Sequence, residues 1–592
     1  MTTSPLRKSI SPECFRGCLL MTVGLTCFGL WLAPKAFGVS PPPDGGYSGA
    51  NTAEGQNALQ SLSSGMHNTA TGFNTLFFNT TGSFNTATGS QALKTNTTGA
   101  NNTATGFSVL FSNTTGSDNT AHGFQALNKN TTGVDNTATG SQALRNNTTG
   151  FSNTASGFQA LFSNTTGSGN TANGAGALFS STFGHNNTAN GGNALLNNTV
   201  GNFNTATGHS ALTSNTNGSF NTAHGFAALT SNTTGISNSA YGEDALRRNT
   251  TGNFNTATGE SALSSNTTGR SNTASGAGAL LSNTTGVQNT ADGANALLSN
   301  ITGINNSASG FEALLSNTDG DGNTAVGFFT LKTNTTGESN TAVGEEVLQN
   351  NVTGGDNTAV GGLALFHTTG DSNTAIGDSA GFNLTSGSNN VDINNPGVAG
   401  ESGIIRIGTS GTQTKAFIAG IFGVTASSGT AVFINSSGQL GTATSSRRFK
   451  DEVKPMDKAS EAILALQPVS FRYKKELDPA RVQQFGLVAE DVARINPDLV
   501  VRDAEGKINA VRYDAVNAML LNEFLKEHRK VEQQEETIAK LKKDFRATVA
   551  QLTARLDEQA SQIQSVSAQV EVSSPQRAPH LATENSELGV GN

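Results

Sequence analysis

The sequence predicts a mainly β protein, with a 17-residue-repeat β-solenoid followed by a small α+β domain and a C-terminal coiled coil. Three observations predict this order. A 17-residue repeat begins at residue 51, the composition becomes ordinary and charged after residue 444, and apolar residues with helical spacing occur near the C-terminus. Repeats of this kind are typical of stacked architectures, in which each unit buries one side against its neighbours.

The repeat has the consensus N-T-A-x-G-x-x-A-L-x-x-N-T-T-G-x-x, whose positions are numbered 1 to 17 from the first Asn. Position 9 is leucine in nineteen consecutive units, from Leu59 to Leu365, without a change of spacing. Because a disordered chain tolerates insertions, this strict period favours units that stack in register. Glycines at positions 5 and 15 punctuate each unit too often for a helix, so we predict two short strands per unit over residues 51–390.

Positions 8 and 9 of the repeat predict how the solenoid associates. Neighbouring residues of a strand point to opposite faces, so Leu93 should face outward if Ala92 faces inward. A leucine stripe along the whole rod is too large an apolar patch to stay exposed. Burial of this stripe against identical stripes predicts a homotrimer, the natural closed form.

The N-T-A-x-G pentads resemble the S-x-A-x-G pentads of trimeric autotransporter adhesin heads. This resemblance implies a left-handed parallel β-roll in a trimer. We interpret the regular Asn-Thr-Thr files as structural ladders, since identical side chains stack on one another in an in-register array. In the alternative interpretation the Thr files bind saccharide or ice, which makes a cell-surface or saccharide ligand a candidate partner.

The N-terminal residues 1–38 have the features of a signal peptide. Basic residues precede an apolar run over 17–33, and Ala36-Phe37-Gly38 offers small residues at the two positions that a signal peptidase reads. We therefore expect a secreted or cell-surface protein. The alternative is that the apolar run is retained as a membrane anchor.

Composition excludes several classes of function. The three cysteines, Cys14, Cys18 and Cys27, all lie in the predicted signal peptide, so the mature chain would have no thiol chemistry. The net charge of -8 and the lack of a basic block give no indication of nucleic-acid binding. The histidines of the repeats have no recurring carboxylate partner, so we expect no metal site and no cofactor.

The sequence after residue 390 predicts four further regions, in order along the chain. Short β-branched runs separated by Gly and Ser predict a β neck over 391–444, with strands in the runs 404–407 and 416–421. A compact domain over 445–543 should contain a helix from Asp457, a strand over 469–473, a short helix over 490–495 and the start of a long helix. Apolar residues from Ile538 to Val566, spaced mostly by three and four, predict a coiled coil within 520–570 and again self-association. Residues 571–592 are predicted to be a disordered tail.

Three motifs occur in order in residues 445–543: SSRRFK from Ser445, FGLVAEDV followed by NPDLV from Phe485, and VRYDAVNAMLLNEFLKE from Val511. Together they resemble the intramolecular chaperone domain of phage endosialidases and tail spikes. The resemblance implies a domain that trimerises, helps the upstream β-fibre to fold, and then cuts itself off before the first Ser of the motif. It therefore implies that Ser445 is the nucleophile, Lys450 the base and Thr444–Ser445 the scissile bond.

The residue types of this segment agree with a Ser–Lys pair. No histidine lies between Ser445 and Glu527, so a Ser nucleophile there would need lysine as its base. Five residues along a helix separate two side chains by about 140°. A turn or a neighbouring chain must therefore bring Ser445 and Lys450 together. From residue types alone, the basic cluster at 447–450 is also compatible with an ordinary solvated linker.

The sequence thus predicts a secreted, trimeric, tail-fibre-like structural protein. Its C-terminal domain would trimerise, set the solenoid in register and cleave once before Ser445, as a serine peptidase that acts on its own chain. One alternative is a membrane-anchored protein that releases a fragment by the same cut. The other is a saccharide- or ice-binding rod.

Overall fold

A computed structural model of the chain describes residues 47–419, 421, 427–435, 437–503 and 505–571. The chain forms two compact units that divide between Phe417 and Ile418. The predicted signal peptide lies outside the described residues, as does the predicted tail beyond Glu571.

The first unit is a β-solenoid whose 22 short strands form one parallel sheet. The strands are β1 Thr52–Glu54, β2 Thr69–Thr71, β3 Thr86–Thr88, β4 Thr103–Thr105, β5 Thr120–His122, β6 Thr137–Thr139, β7 Thr154–Ser156, β8 Thr171–Asn173, β9 Thr188–Asn190, β10 Thr205–Thr207, β11 Thr222–His224, β12 Ser239–Tyr241, β13 Thr256–Thr258, β14 Thr273–Ser275, β15 Thr290–Asp292, β16 Ser307–Ser309, β17 Thr324–Val326, β18 Thr341–Val343, β19 Thr358–Val360, β20 Thr374–Ile376, β21 Val391–Ile393 and β22 Ile405–Ile407. Each strand pairs with the next one along the chain, so that Ala87 lies opposite Ala104. At ~4.8 Å per strand, the stack is roughly 100 Å long. The predicted solenoid and its period are confirmed.

Each coil contains one strand, at positions 2 to 4, and the prediction of two strands per unit was wrong. Turns form most of the rest of the coil, because positions 7, 9 and 17 adopt left-handed backbone angles. In the coil that begins at Asn85 these are Gln91, Leu93 and Asn101, with φ of 63°, 49° and 57°. These turns still bond to the neighbouring coils through their backbones, as when Leu93 N donates to Val109 O at 2.9 Å.

The leucines of position 9 face inward, which corrects the prediction of an external stripe. Ala92 and Leu93 are both fully buried. Side chains alternate between faces only in an extended strand, and the left-handed angle of Leu93 turns it to the same side as Ala92. Such an angle costs roughly 1–2 kcal/mol, whereas burial of a leucine contributes about 2 kcal/mol or more. The leucine file therefore completes the core of a single chain and gives no reason for a trimer.

Two files of buried asparagines, at positions 1 and 12, connect each coil to the next. Asn102 Nδ2 donates to Asn85 Oδ1 at 3.0 Å and to the Gly116 carbonyl at 2.9 Å. Asn113 Nδ2 donates to Asn96 Oδ1 at 2.7 Å and to the same Gly116 carbonyl at 2.8 Å. Buried amides need such partners. The ladders thus explain why Asn recurs at these two positions, as the sequence predicted.

Glycine at position 5 is required by both conformation and space. Gly140 has a φ of 132°, and a Cβ on it would lie 2.5 Å from the carbonyl oxygen of Gly157 in the next coil. An alanine there would be strained and would also separate the two coils.

In the coils that begin at residues 68 to 357, asparagine is missing from position 12 twice, and the first coil and the coil from Asn373 have Leu62 and Leu384 there. Ser181 replaces Asn in one coil, and Thr368 replaces it in the one coil that has 16 residues. At each interruption two buried polar groups lack a hydrogen-bond partner: Ser181 Oγ with Asn164 Oδ1, and Thr368 Oγ1 with Asn351 Oδ1. An unpaired buried polar group costs about 1–3 kcal/mol, so these coils are the weak steps of the stack.

The parallel sheet extends into the predicted neck, because β21 and β22 both lie beyond residue 390. Within the predicted strand 416–421, the described residues form no strand. In the second unit an antiparallel hairpin joins β23 Val432–Ile434 to β24 Leu440–Thr442, and all six residues are exposed.

The rest of the second unit is a small α+β fold. Its elements are a 3₁₀ turn Arg447–Phe449, a 3₁₀ helix Asp457–Ala465, β25 Val469–Phe471, β26 Gln484–Gly486, α1 Ala489–Ile495, a 3₁₀ turn Pro497–Leu499, β27 Val500–Arg502, β28 Ile508–Val511 and α2 Tyr513–Glu571. Strands β25 and β26 form one antiparallel pair, and β27 and β28 form another. The buried core is small and consists of Val492, Leu499, Val500 and Met519. The predicted elements are present, although the helix from Asp457 is a 3₁₀ helix.

Candidate self-processing site

A single 3₁₀ turn brings the two predicted catalytic side chains together. Phe449 N donates to the Ser446 carbonyl at 3.0 Å, and Lys450 N donates to the Arg447 carbonyl at 3.1 Å. Ser446 before the turn and Lys450 after it both have extended backbone angles. As a result Lys450 Nζ donates to Ser445 Oγ at 3.3 Å. The turn that the residue spacing required is therefore present within one chain.

Ser445 and Lys450 are both exposed in the single chain, as is Thr444 before them. Arg448 places its guanidinium 4.5 Å from the ring centroid of Phe449, which is itself 56% exposed. A lysine can act as a general base only as the neutral amine. Burial in an apolar environment is the usual way in which proteins favour the neutral amine. The single chain thus places Lys450 Nζ close to Ser445 Oγ, but it does not bury the Lys450 amine.

A second Ser–Lys pair, which the sequence analysis missed, lies in the same unit. Ser460 is fully buried, accepts a hydrogen bond from Asn522 Nδ2 at 2.7 Å and also bonds to Glu523. Lys526 Nζ lies 2.6 Å from Glu523 Oε1 and 3.4 Å from Ser460 Oγ. Ser460 is more than 60 positions from Glu523 and Lys526 in the chain, so no local pattern could have identified the cluster.

The second pair is structural in character, because its lysine is held in the charged form. The hydrogen bond to Glu523 raises the pKa of Lys526, and the same bond lowers the pKa of Glu523. A lysine whose pKa is raised is a poor general base. The cluster ties the 3₁₀ helix Asp457–Ala465 to α2, and through it the start of the domain to the long helix.

Helix α2 carries an uncovered apolar seam. The seam residues are Ile538, Leu541, Phe545, Val549, Leu552, Leu556, Ile563 and Val566, and each is between 43% and 71% exposed. Their spacing of mostly three and four residues places them on one side of the helix. Large apolar side chains are also exposed on the small domain, where Leu464, Leu477 and Phe485 are each more than 70% exposed.

Residues 445–501 match the family model described as chaperone of endosialidase. The resemblance inferred from the three motifs is thereby confirmed, and the match begins at Ser445, the predicted nucleophile. No curated protein and no solved structure matches the chain. The likeness of the repeats to adhesin heads stays a prediction, whereas the solenoid itself is observed.

The outer surface of the solenoid bears on the predicted saccharide site. The position-13 hydroxyls bond within the stack, as when Thr97 Oγ1 donates to the Thr114 carbonyl at 2.9 Å. Aromatic rings of neighbouring coils lie face to face, as in the pair Phe107 and Phe124 with centroids 5.7 Å apart and planes 10° from parallel. These stacked rings cover one another's faces, which are the parts that stack on a sugar. A saccharide ligand stays a prediction.

Two features are absent from the residues that the structure describes. In that part of the chain no three His, Cys, Asp or Glu side chains converge as a metal site would require. The helices within the described ranges include none that is long and apolar enough to cross a bilayer.

Proposed function

We propose that the chain is an exported, homotrimeric, tail-fibre-like structural protein whose C-terminal domain assembles the trimer and then cleaves itself off before Ser445. A β-solenoid followed by a chaperone-of-endosialidase segment fits such a structural protein. The observation that carries the proposal is the contact of Lys450 Nζ with Ser445 Oγ at the first residue of the matched segment.

Trimer formation is supported by the apolar seam of α2, with other copies of this chain as its partners. Eight large apolar side chains at coiled-coil spacing are exposed on one helix of 59 residues. Among the described residues of the small domain, only four form the buried apolar core, which is few for an independently stable fold. Association of three copies would bury both sets of side chains and would enlarge this core.

The order of the two units suggests why such a domain is useful. Neighbouring coils present nearly identical pairing partners, so a slip by one unit changes few contacts and the correct start is poorly specified. Pairing of distant segments is also slow. A trimer that forms first at the C-terminal end would set three chains in register before the solenoids fold toward their N-termini.

The proposed cut proceeds through an ester. Neutral Lys450 takes the proton from Ser445 Oγ, which attacks the carbonyl carbon of Thr444, and the carbon–nitrogen bond of Thr444–Ser445 breaks as the proton passes to the Ser445 nitrogen. Water then hydrolyses the ester between Thr444 and Ser445 Oγ. The products are a carboxylate on Thr444 and a new N-terminus at Ser445. Proximity is built into this reaction because nucleophile and acyl group are neighbours in the chain.

Intact-mass analysis of the expressed full chain tests the proposal. We expect the wild type to give two products separated at Thr444–Ser445, and Ser445→Ala and Lys450→Ala to remain joined there. Ser446→Ala and Lys454→Ala are the matched controls and should cleave, since neither side chain belongs to the pair. A joined wild type, or a Ser445→Ala variant that is cut at the same bond, would contradict self-cleavage.

The same masses test export and the membrane-anchored alternative. A mature chain that begins near Val39 indicates removal of the signal peptide, whereas a retained N-terminus in the membrane fraction favours the anchored form. Light scattering on Ser445→Ala gives the oligomeric state independently of cleavage. A monomer at micromolar concentration would contradict the proposed trimer.

A further inference from the structure

The C-terminal end of the solenoid carries a charged residue where every earlier coil has alanine. Position 3 is alanine from β1 to β20 and faces the core in each strand. In β21 this position is Asp392, which lies opposite Ala375 on one side and Arg406 on the other. The apolar file of the core therefore ends on a carboxyl group.

Asp392 is buried without a partner. It is 1% exposed, and neither of its carboxyl oxygens has a hydrogen-bond donor among the described residues. Its carboxyl lies close to Leu384 and to the backbone of Gly397: a Cβ on Gly397 would lie 3.1 Å from Asp392 Oδ2 and 3.0 Å from Leu384 Cγ. Burial raises the pKa of Asp392 to about 6, the charge of Glu401 also raises it, and Arg406 lowers it.

The cation next to Asp392 is already engaged. Arg406 Nη2 lies 2.6 Å from Glu401 Oε2, and Arg406 Nε lies 2.9 Å from Glu401 Oε1. This bidentate ion pair lowers the pKa of Glu401, so Glu401 is charged. Arg406 is therefore paired with Glu401 and donates no hydrogen bond to Asp392. In the preceding coil the titratable side chain is Asp378, which is exposed on the outer surface at position 6.

We propose that Asp392 is a proton-dependent lock on the last coil of the solenoid. The coil formed by residues 390–407 closes firmly while this carboxyl is protonated and opens more readily once it is ionised. The physical reason is that an unpaired carboxylate in an apolar site is costly, whereas the neutral acid is tolerated. The proposal concerns the first unit alone and does not depend on self-cleavage or on trimer formation.

The direction of the pH effect follows from linkage. The ordinary pKa of an aspartate carboxyl is 3.8, and burial in the closed coil raises the pKa of Asp392 to about 6, so the closed coil binds the proton more tightly than an open, solvated one. The stabilisation is complete below about pH 4 and is lost as the pH rises through about 6. Between pH 5 and pH 7.5 the equilibrium constant for opening should rise about tenfold.

Hydrogen exchange on the full chain measures this opening directly. The reporting amides are Val391, which donates to Ile404 O at 2.8 Å, and Gly408, which donates to Ile393 O at 2.8 Å. After correction for the intrinsic pH dependence of exchange, both should open about tenfold more readily at pH 7.5 than at pH 5. The amide of Thr205, in the middle of the stack, serves as the internal control and should not change.

Two substitutions should remove the effect and a third should reduce it. Asp392→Asn keeps the shape without the charge, and Asp392→Ala restores the residue of every earlier coil, so neither should show the tenfold rise. Glu401→Gln frees Arg406 to pair with ionised Asp392 and should give a smaller rise than the wild type. Equal opening of the wild type at both pH values overturns the proposal, as does an undiminished rise in either Asp392 variant or in Glu401→Gln.

Discussion

Leu229 in the solenoid and Leu552 in α2 are the same side chain in two settings. Leu229 is fully buried by its own chain, between the coils before and after it, whereas Leu552 is 52% exposed. The solenoid also pairs its buried amides within the chain, through Asn232 and the other members of the ladders. The solenoid therefore buries its apolar side chains and pairs its buried amides by stacking repeats, whereas the long helix leaves apolar side chains exposed.

The largest effect should come from a charge in the uncovered seam. In the proposed trimer Leu552→Asp places three carboxylates in one apolar layer, and an unpaired buried charge costs several kcal/mol. We expect the Ser445→Ala chain that also carries Leu552→Asp to be monomeric by light scattering. Gln551→Asp, one residue away and off the seam, is the matched control and should stay trimeric. If both variants remain trimers, the seam is not the interface.

The next effect should be seen in the core of the solenoid. Leu229→Ala removes a fully buried side chain, and we expect a loss of about 2–5 kcal/mol in the free energy of unfolding. Chemical denaturation of the full chain followed by circular dichroism measures it. Phe226→Ala in the same coil is the control, since this side chain is 55% exposed and its loss should cost about 1 kcal/mol or less. Equal losses would mean that the position-9 leucines are not the core.

A smaller loss should follow from a break in an intact ladder. Asn232→Ala leaves Asn215 Oδ1 without its donor and removes the acceptor of Asn249 Nδ2. We expect a loss of about 1–3 kcal/mol in the same denaturation experiment. Thr234→Ala, at an exposed position of the same coil, should have almost no effect. If the two variants were equally stable, the hydrogen bonds of the ladder would contribute nothing to the free energy of unfolding.

The smallest effect should be a gain. Ser181→Asn restores the ladder where Ser181 Oγ and Asn164 Oδ1 are both unpaired, and we expect the free energy of unfolding to rise by about 1 kcal/mol. Ser180→Asn, the neighbouring residue at position 11, is the matched control. A neutral or destabilising Ser181→Asn would show that the local backbone has relaxed around serine.

The sequence predicted the two residues of the candidate site, but it did not predict the second Ser–Lys pair in the same unit. Ser445 and Lys450 are the residues that the family resemblance implies; the lack of histidine in the segment agrees with them, and their spacing requires a turn. The cluster of Ser460, Glu523 and Lys526 could not be predicted in this way, because Ser460 meets the other two only when α2 packs against the 3₁₀ helix Asp457–Ala465.

The sequence by itself determined the period, the stacking of units in register, the inward alanines and the asparagine ladders, because a strict repeat imposes the same contacts on every coil. Only the tertiary structure decided which way Leu93 points, since a left-handed backbone angle cancels the alternation that an extended strand would give. It also decided the state of Asp392, an ordinary acidic residue in the sequence. Its burial at the end of the core depends on how the last coil closes over it.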